Sequence, residues 1–190
     1  LWLGLFLKGA LHYIPHLNRT VDYNLLSEEV SSGFCIIEDK NDHVWYGGPS
    51  GLFLIDKKKA NARPEKISPL RVFNLVQFND SILWAGTRKG SMFQINTRTL
   101  KVTSLPILPH TDLYVTYIYP DSHQRIWIGT DNNGLYVSDR NGSIIASYSK
   151  EQLGSNAIKG IIEDEMNNIW VGTGSGLCCI NPQTENIDRY

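Results

Sequence analysis

Cysteine is scarce in this chain and charge is low: three cysteines and 19% charged residues among 190. The cysteine count is odd, and Cys178 and Cys179 are neighbours. Adjacent residues on a strand point to opposite faces, so these two are not expected to pair. Ligand pairs at zinc-site spacing are missing. The thiols are therefore read as small buried hydrophobes, and neither a metal nor a cofactor is expected. A basic excess is also lacking, since 18 Lys and Arg stand against 19 Asp and Glu. That argues against nucleic acid, whose binders carry a clustered basic face. Long apolar runs are missing too. The strongest candidate, LWLGLFLKGAL at the N-terminus, is interrupted by Lys8 and falls short of the roughly 20 residues a spanning helix needs. It has neither a basic leader nor a small-residue cleavage site, and the chain does not begin with Met. Leu1 is accordingly expected to be a cut end, and the chain to be soluble with no membrane segment of its own. No stretch shows sustained helical periodicity.

Aromatics and glycine are plentiful, with five Trp and 16 Gly. The tryptophans are Trp2, Trp45, Trp84, Trp127 and Trp170, at gaps of 43, 39, 43 and 43 residues. Each is followed two residues later by a glycine: Gly4, Gly47, Gly86, Gly129 and Gly172. A second glycine follows at Gly9, Gly51, Gly90, Gly134 and Gly176. Such self-similarity marks a repeat. The last copy shows the whole unit: AIKGIIEDE, NIWVGT, GLCCIN and ENIDRY are four short apolar or alternating runs, strands a to d, divided by turn residues. Four strands in about 40 to 45 residues is the size of a β-propeller blade. The expected fold is all-β, with about four full blades of four antiparallel strands plus a partial first blade that lacks strand a. The repeats fall at about 1–32 (partial), 33–70, 71–110, 111–153 and 154–190, all within one propeller fragment spanning 1–190. The Trp and Gly positions are read as structural, the tryptophans packing between blades. An arc left open would expose an apolar face at each end, so a homodimer is a further expectation.

IIEDEMNNIWVGTGSGLCCINPQT (161–184) and YIYPDSHQRIWIGTDNNGLYVSD (117–139) resemble the two-component regulator propeller repeat. IIEDKNDHVWYGGPSGLFLID (36–56) is similar but has Gly48 where Thr is usual, and VQFNDSILWAGTRKGSMFQIN (76–96) is shortened. Where that repeat carries Gly before the Trp strand, this chain has His43, Arg125 or Asn168. Arg tolerates a left-handed conformation poorly, so these hairpins are expected to differ from one another. The resemblance implies the extracytoplasmic, periplasmic sensor region of a bacterial membrane histidine kinase, including the hybrid kinases of gut Bacteroidetes. Many such sensors detect oligosaccharides. The implied partners are an oligosaccharide ligand and the rest of the sensor propeller and kinase chain, the kinase chemistry lying outside these residues.

No catalytic set emerges from the residues themselves. His12 and His16 lie on a strand broken by Pro15, and His43 and His123 are read as surface residues of matching a–b turns. GTGSG (172–176) joins two strands and opens no helix, so it is not a phosphate cradle. The acid pairs Glu38/Asp39 and Glu163/Asp164 recur with the repeat and are expected to bond backbone N–H groups of the a–b turns. Tyr114, Tyr117 and Tyr119 are read first as strand packing. A ligand must then be read by loops that vary among blades. The candidates are Pro49, Ser50, Arg88, Lys89, Asp131, Asn132 and Asn133 in b–c turns, and His110, Thr111, Asp112 and Tyr114, then Ser155 and Asn156, in d–a connections. Arg and Lys suit an anionic group; Asn, Asp and Tyr suit sugar hydroxyls. A structural or protein-interaction propeller without a small ligand is the alternative.

Overall fold

A computed structural model describes residues 2–5, 9–23, 34–59, 62–87, 91–105 and 114–190. Strands appear wherever the repeat places apolar runs. β1 (Trp2–Leu5), β2 (Gly9–Ile14) and β3 (Arg19–Tyr23) form a three-stranded sheet. Four four-stranded sheets follow in chain order. They comprise β4 (Cys35–Glu38), β5 (His43–Gly48), β6 (Gly51–Asp56) and β7 (Glu65–Ser68); then β8 (Val72–Asn79), β9 (Ile82–Thr87), β10 (Met92–Asn96) and β11 (Val102–Ser104). The last two are β12 (Val115–Pro120), β13 (Ile126–Thr130), β14 (Leu135–Ser138) and β15 (Ile144–Tyr148), then β16 (Ile158–Glu163), β17 (Ile169–Thr173), β18 (Leu177–Ile180) and β19 (Ile187–Arg189). Neighbours in sequence are neighbours in each sheet, as hairpin-connected strands prefer. The one α-helical element among the described residues is a single turn, α1 (Lys150–Leu153). A 3-10 turn at Pro15–Leu17 ends β2 where proline withholds its N–H.

The chain divides into two compact units, residues 1–87 with 94–103 and residues 88–93 with 104–190. In the first, Val72 at the start of β8 lies against β5 so closely that a Cβ on Gly47 would stand 2.6 Å from its Cγ1. The second unit repeats the arrangement: a Cβ on Gly129 would stand 2.6 Å from Cγ2 of Ile158, which opens β16. At these two junctions the glycine of W-x-G is therefore the seat for the first strand of the next sheet, and a larger residue would push the two apart.

The core of the second unit lies in that same junction. Trp127, Leu135 and Val137 from one sheet bury against Ile161, Val171 and Cys178 from the next. Tyr117, Tyr119 and Tyr148 pack partly buried on this cluster. Cys178 is buried, with its Sγ–H aimed at Leu153 O at 3.2 Å, while its neighbour Cys179 is half-buried. Burial pushes the Cys35 thiol up to about 12, as an inert, sequestered cysteine should behave.

The a–b turns depart from expectation in an instructive way. His43, Arg125 and Asn168 are not the left-handed residues. Those are Asp42, Gln124 and Asn167, one position earlier, at φ 65°, 62° and 63°. The three hairpins share one conformation instead of differing. The residue after the left-handed one is used for its side chain: His43 Nδ1, Arg125 Nε and Asn168 Nδ2 each approach Oδ2 of the turn aspartate, at 3.2, 2.6 and 3.1 Å. His43 is thus half-buried beside Asp39, not a surface turn residue, whereas His123 is exposed.

Candidate functional site: the loop rim of the second unit

Each a–b turn aspartate organises four groups. Oδ1 of Asp39 accepts the N–H of Asn41 and His43; Oδ1 of Asp121 accepts those of His123 and Arg125; Oδ1 of Asp164 accepts those of Met166 and Asn168. Oδ2 accepts the indole N–H of the tryptophan six residues on, at 2.8 Å in all three. A hydrogen bond from Trp170 leads the causes that hold the Asp164 carboxyl below its usual range. These carboxylates are fully engaged in building the turn. The paired glutamates act differently. Glu163 accepts the Ser122 N–H and hydroxyl from the preceding sheet at 2.8 and 2.7 Å. Glu38 accepts the Trp2 indole N–H at 2.8 Å and an ammonium N–H of Lys57. Both acid pairs are therefore structural, one member per turn and one per sheet junction.

At the opposite ends of the strands the b–c turns meet the d–a connections. Thr130 Oγ1 donates to Gly134 O at 2.7 Å and accepts the Asn133 N–H at 2.9 Å, closing the b–c turn of the fourth sheet. That turn is tied on two sides. Asp131 N donates to Tyr114 O at 3.1 Å and Asp131 Oδ1 accepts the Tyr114 N–H at 3.0 Å. Gly134 N donates to Asn156 O at 2.9 Å, and Asn156 Oδ1 accepts the Lys150 N–H at 2.7 Å. The next b–c turn is tied likewise, Gly174 N donating to Ala157 O at 2.8 Å. Asp131, Asn133 and Asn156 are half-buried and Asn132 is exposed.

Of the sequence-predicted loop residues, Tyr114, Asp131, Asn132 and Asn133 are brought together here. Arg88, Lys89, His110 and Asp112 lie outside the described residues. Asn156, offered by the sequence in the next d–a connection, joins the first four; what the sequence reading leaves out is the 149–153 part of that connection. Its signal was present, however: Ser149 stands three residues before Gln152, and Ser149 N donates to Gln152 Oε1 at 3.0 Å, half of a capping box. The resulting rim offers carboxamides, hydroxyls and one carboxylate on backbone-braced loops. Among the described residues no group of three or more His, Cys, Asp or Glu could hold a metal ion, and no helix is long and apolar enough to cross a membrane.

Residues 110–132 and 152–175 match the two component regulator propeller family. A histidine kinase, P4, of Formosa agariphila is 25% identical over 238 aligned residues, covering 92% of this chain and 17% of that protein. Crystal structures of the extracellular domain of BT4673 from B. thetaiotaomicron, assigned to a one component or a hybrid two component system, superpose on all of this chain. Their TM-scores are 0.77 and 0.76 at 23% and 24% identity, over 26% of the solved chain. PorZ, a surface component of the type-IX secretion system of Porphyromonas gingivalis, gives a TM-score of 0.75 at 16% identity, covering 94% of this chain and 30% of its own. These solved likenesses establish the fold. The chain spans about a sixth of the kinase and about a quarter of the BT4673 domain. Two segments of the chain are thus similar to two-component regulator propeller repeats, and the chain folds as blades of a β-propeller.

Proposed function

We propose that the chain is part of the extracytoplasmic, periplasmic sensing propeller of a two-component sensor histidine kinase, and that the rim at Tyr114, Asp131, Asn132, Asn133 and Asn156 contacts a carbohydrate. The observation that carries this reading is the rim itself. It holds carboxamide side chains and one carboxylate that differ from blade to blade, mounted on turns braced by Thr130–Gly134, Asp131–Tyr114 and Gly134–Asn156 bonds. Bracing lowers the ordering cost of binding. Such groups suit sugar hydroxyls better than they suit chemistry on a bond. The matching repeat and the kinase relative support the signalling context. Phosphoryl transfer belongs to other parts of such a kinase.

Isothermal titration of the chain against a broad panel of neutral and acidic oligosaccharides tests the reading. At least one glycan is expected to bind, and the pair Asn132→Ala with Asn133→Ala to weaken it by about tenfold, as loss of one or two net hydrogen bonds does. Silence across the panel overturns it. The competing reading, a propeller that serves only protein interaction, is favoured by one observation: Ile162, Leu177 and Tyr190 on the last sheet are 61%, 41% and 73% exposed.

A further inference from the structure

Each described sheet ends in an outer strand with a strand neighbour on one side only, and these edges are not built alike. An open edge presents N–H and C=O groups that a further strand can pair with, and proteins blunt such edges with charge or by keeping them short. β3 carries Arg19 and Asp22, β7 carries Glu65 and Lys66, and β19 carries Asp188 and Arg189. β11 is three residues long. β15 has neither device: its five residues are Ile144, Ile145, Ala146, Ser147 and Tyr148.

Register makes the contrast direct. Ala146 and Ser147 face Val137 and Tyr136 across the fourth sheet, where the fifth sets Asp188 and Arg189 against Cys179 and Cys178. The pairing of β14 with β15 slips between Val137 and Ser138, leaving Ile145 as the extra residue of a bulge. Ile145 is 57% exposed and Ile144 38%. Among the described residues no loop backbone bonds the other edge of β15. An uncharged edge with two exposed isoleucines is the kind on which strands add.

We propose that β15 pairs edge to edge with β15 of a second copy, antiparallel about a two-fold axis, so that a sheet of each copy joins into one. The strand suits its own reverse. Antiparallel approach lays the Asp139–Arg140 end of one copy beside Lys150–Glu151 of the other, so both signs meet at each end. Between those ends the strand holds no charge to repel its twin. Such a pairing uses the same patch on both copies, as a two-fold interface must. It covers the isoleucines of both, and facing residues on paired strands are what stabilise a sheet. The inference is independent of the sugar reading.

Sedimentation equilibrium of the full chain over a wide concentration range tests it, with Ile145→Lys and Ile145→Glu as variants. Ile145 is more than half exposed, so both variants should fold, which tryptophan fluorescence checks. The wild-type chain is expected to dimerise. Each variant alone should associate at least about tenfold more weakly, since like charges meet near the axis. An equimolar mixture of the two should recover association, because opposite charges then face each other. Amide exchange over 144–148 should slow as the wild-type dimer forms. Ser147→Lys, also at an exposed position, reads the same edge if an Ile145 variant folds badly. A chain that stays monomeric throughout overturns the proposal. So does a dimer that the lysine variants leave intact; its loss on Leu177→Lys would assign association to the last sheet. A mixture that recovers nothing overturns it too, since two-fold pairing at this strand requires the rescue.

Discussion

Three of the four described a–b turns hold a carboxylate against a tryptophan, and one does not. At Asp39–Trp45, Asp121–Trp127 and Asp164–Trp170 the acid stands six residues before the indole and accepts its N–H at 2.8 Å. Six residues before Trp84 stands Phe78, and the pairing of β8 with β9 slips between Gln77 and Asn79. The turn is shorter, Asn79 Oδ1 accepts only the Ser81 N–H at 2.9 Å, and the Phe78 ring tilts against Trp84 at 6.2 Å. Trp84 is fully buried and its Nε1 has no hydrogen-bond partner among the described residues. The repeat therefore tolerates losing the acid when the acid, its extra turn residue and its other donors go together. What it should not tolerate is losing the acid alone. Removing one partner strands the others, whereas replacing the whole set with apolar contacts is nearly neutral.

The largest effect expected from breaking this comparison follows from Asp121→Ala. The carboxylate is buried and serves the N–H groups of His123 and Arg125, the Arg125 guanidinium and the Trp127 indole. Stranding several donors, one of them charged, should destabilise by about 3 kcal/mol or more. Urea unfolding followed by tryptophan fluorescence reads it. Asp121→Asn keeps one acceptor oxygen and should cost roughly half as much. A loss below about 1 kcal/mol for the alanine variant would mean that the turn is held by its backbone alone.

The Asp–Trp bond was hidden in a sequence that showed both partners. The recurrence of tryptophan and glycine was enough to place the sheets, because period and turn chemistry are local. The aspartates were read as turn residues, and Oδ1 does that work. The Oδ2 bond to the indole requires the strand to fold back at a set distance, which spacing alone does not reveal. The left-handed residue was misplaced by one for a related reason. The eye assigns it to the position just before the strand, but the side chains of His43, Arg125 and Asn168 are needed there as donors, so the positive φ moves to Asp42, Gln124 and Asn167. At the rim, residue types pointed to Asp131, Asn132 and Asn133. The pairing with Tyr114 and Asn156 depends on how two connections of unequal length pass each other, and no local pattern encodes that.

A paired substitution sharpens the comparison at smaller amplitude. Trp127→Phe removes ring volume and also a hydrogen bond to a buried carboxylate; Trp84→Phe removes ring volume and an N–H without a partner among the described residues. Packing losses of similar size should cancel in the difference. Trp127→Phe is therefore expected to cost more than Trp84→Phe by about 1 kcal/mol, the net worth of one such bond. Equal costs would show that the Trp84 indole finds an acceptor in solution.

The smallest effect belongs to Asp164, whose turn is open to solvent on the last sheet. The Trp170 N–H, foremost among its causes, lowers the folded-state pKa, while desolvation opposes it. A carboxylate with a depressed folded pKa stabilises the fold at pH above its unfolded value, near ~3.9, and that contribution fades as pH falls through the folded value. Thermal stability should thus decline on acidification below about pH 4, and Asp164→Asn should remove part of the decline while lowering stability at neutral pH. The amide still accepts one bond but has no proton to gain. If wild type and variant lose stability in parallel across that range, the indole bond does not select the ionised carboxylate. The shared geometry of the three turns would then reflect steric fit of the acid beneath the ring more than its charge.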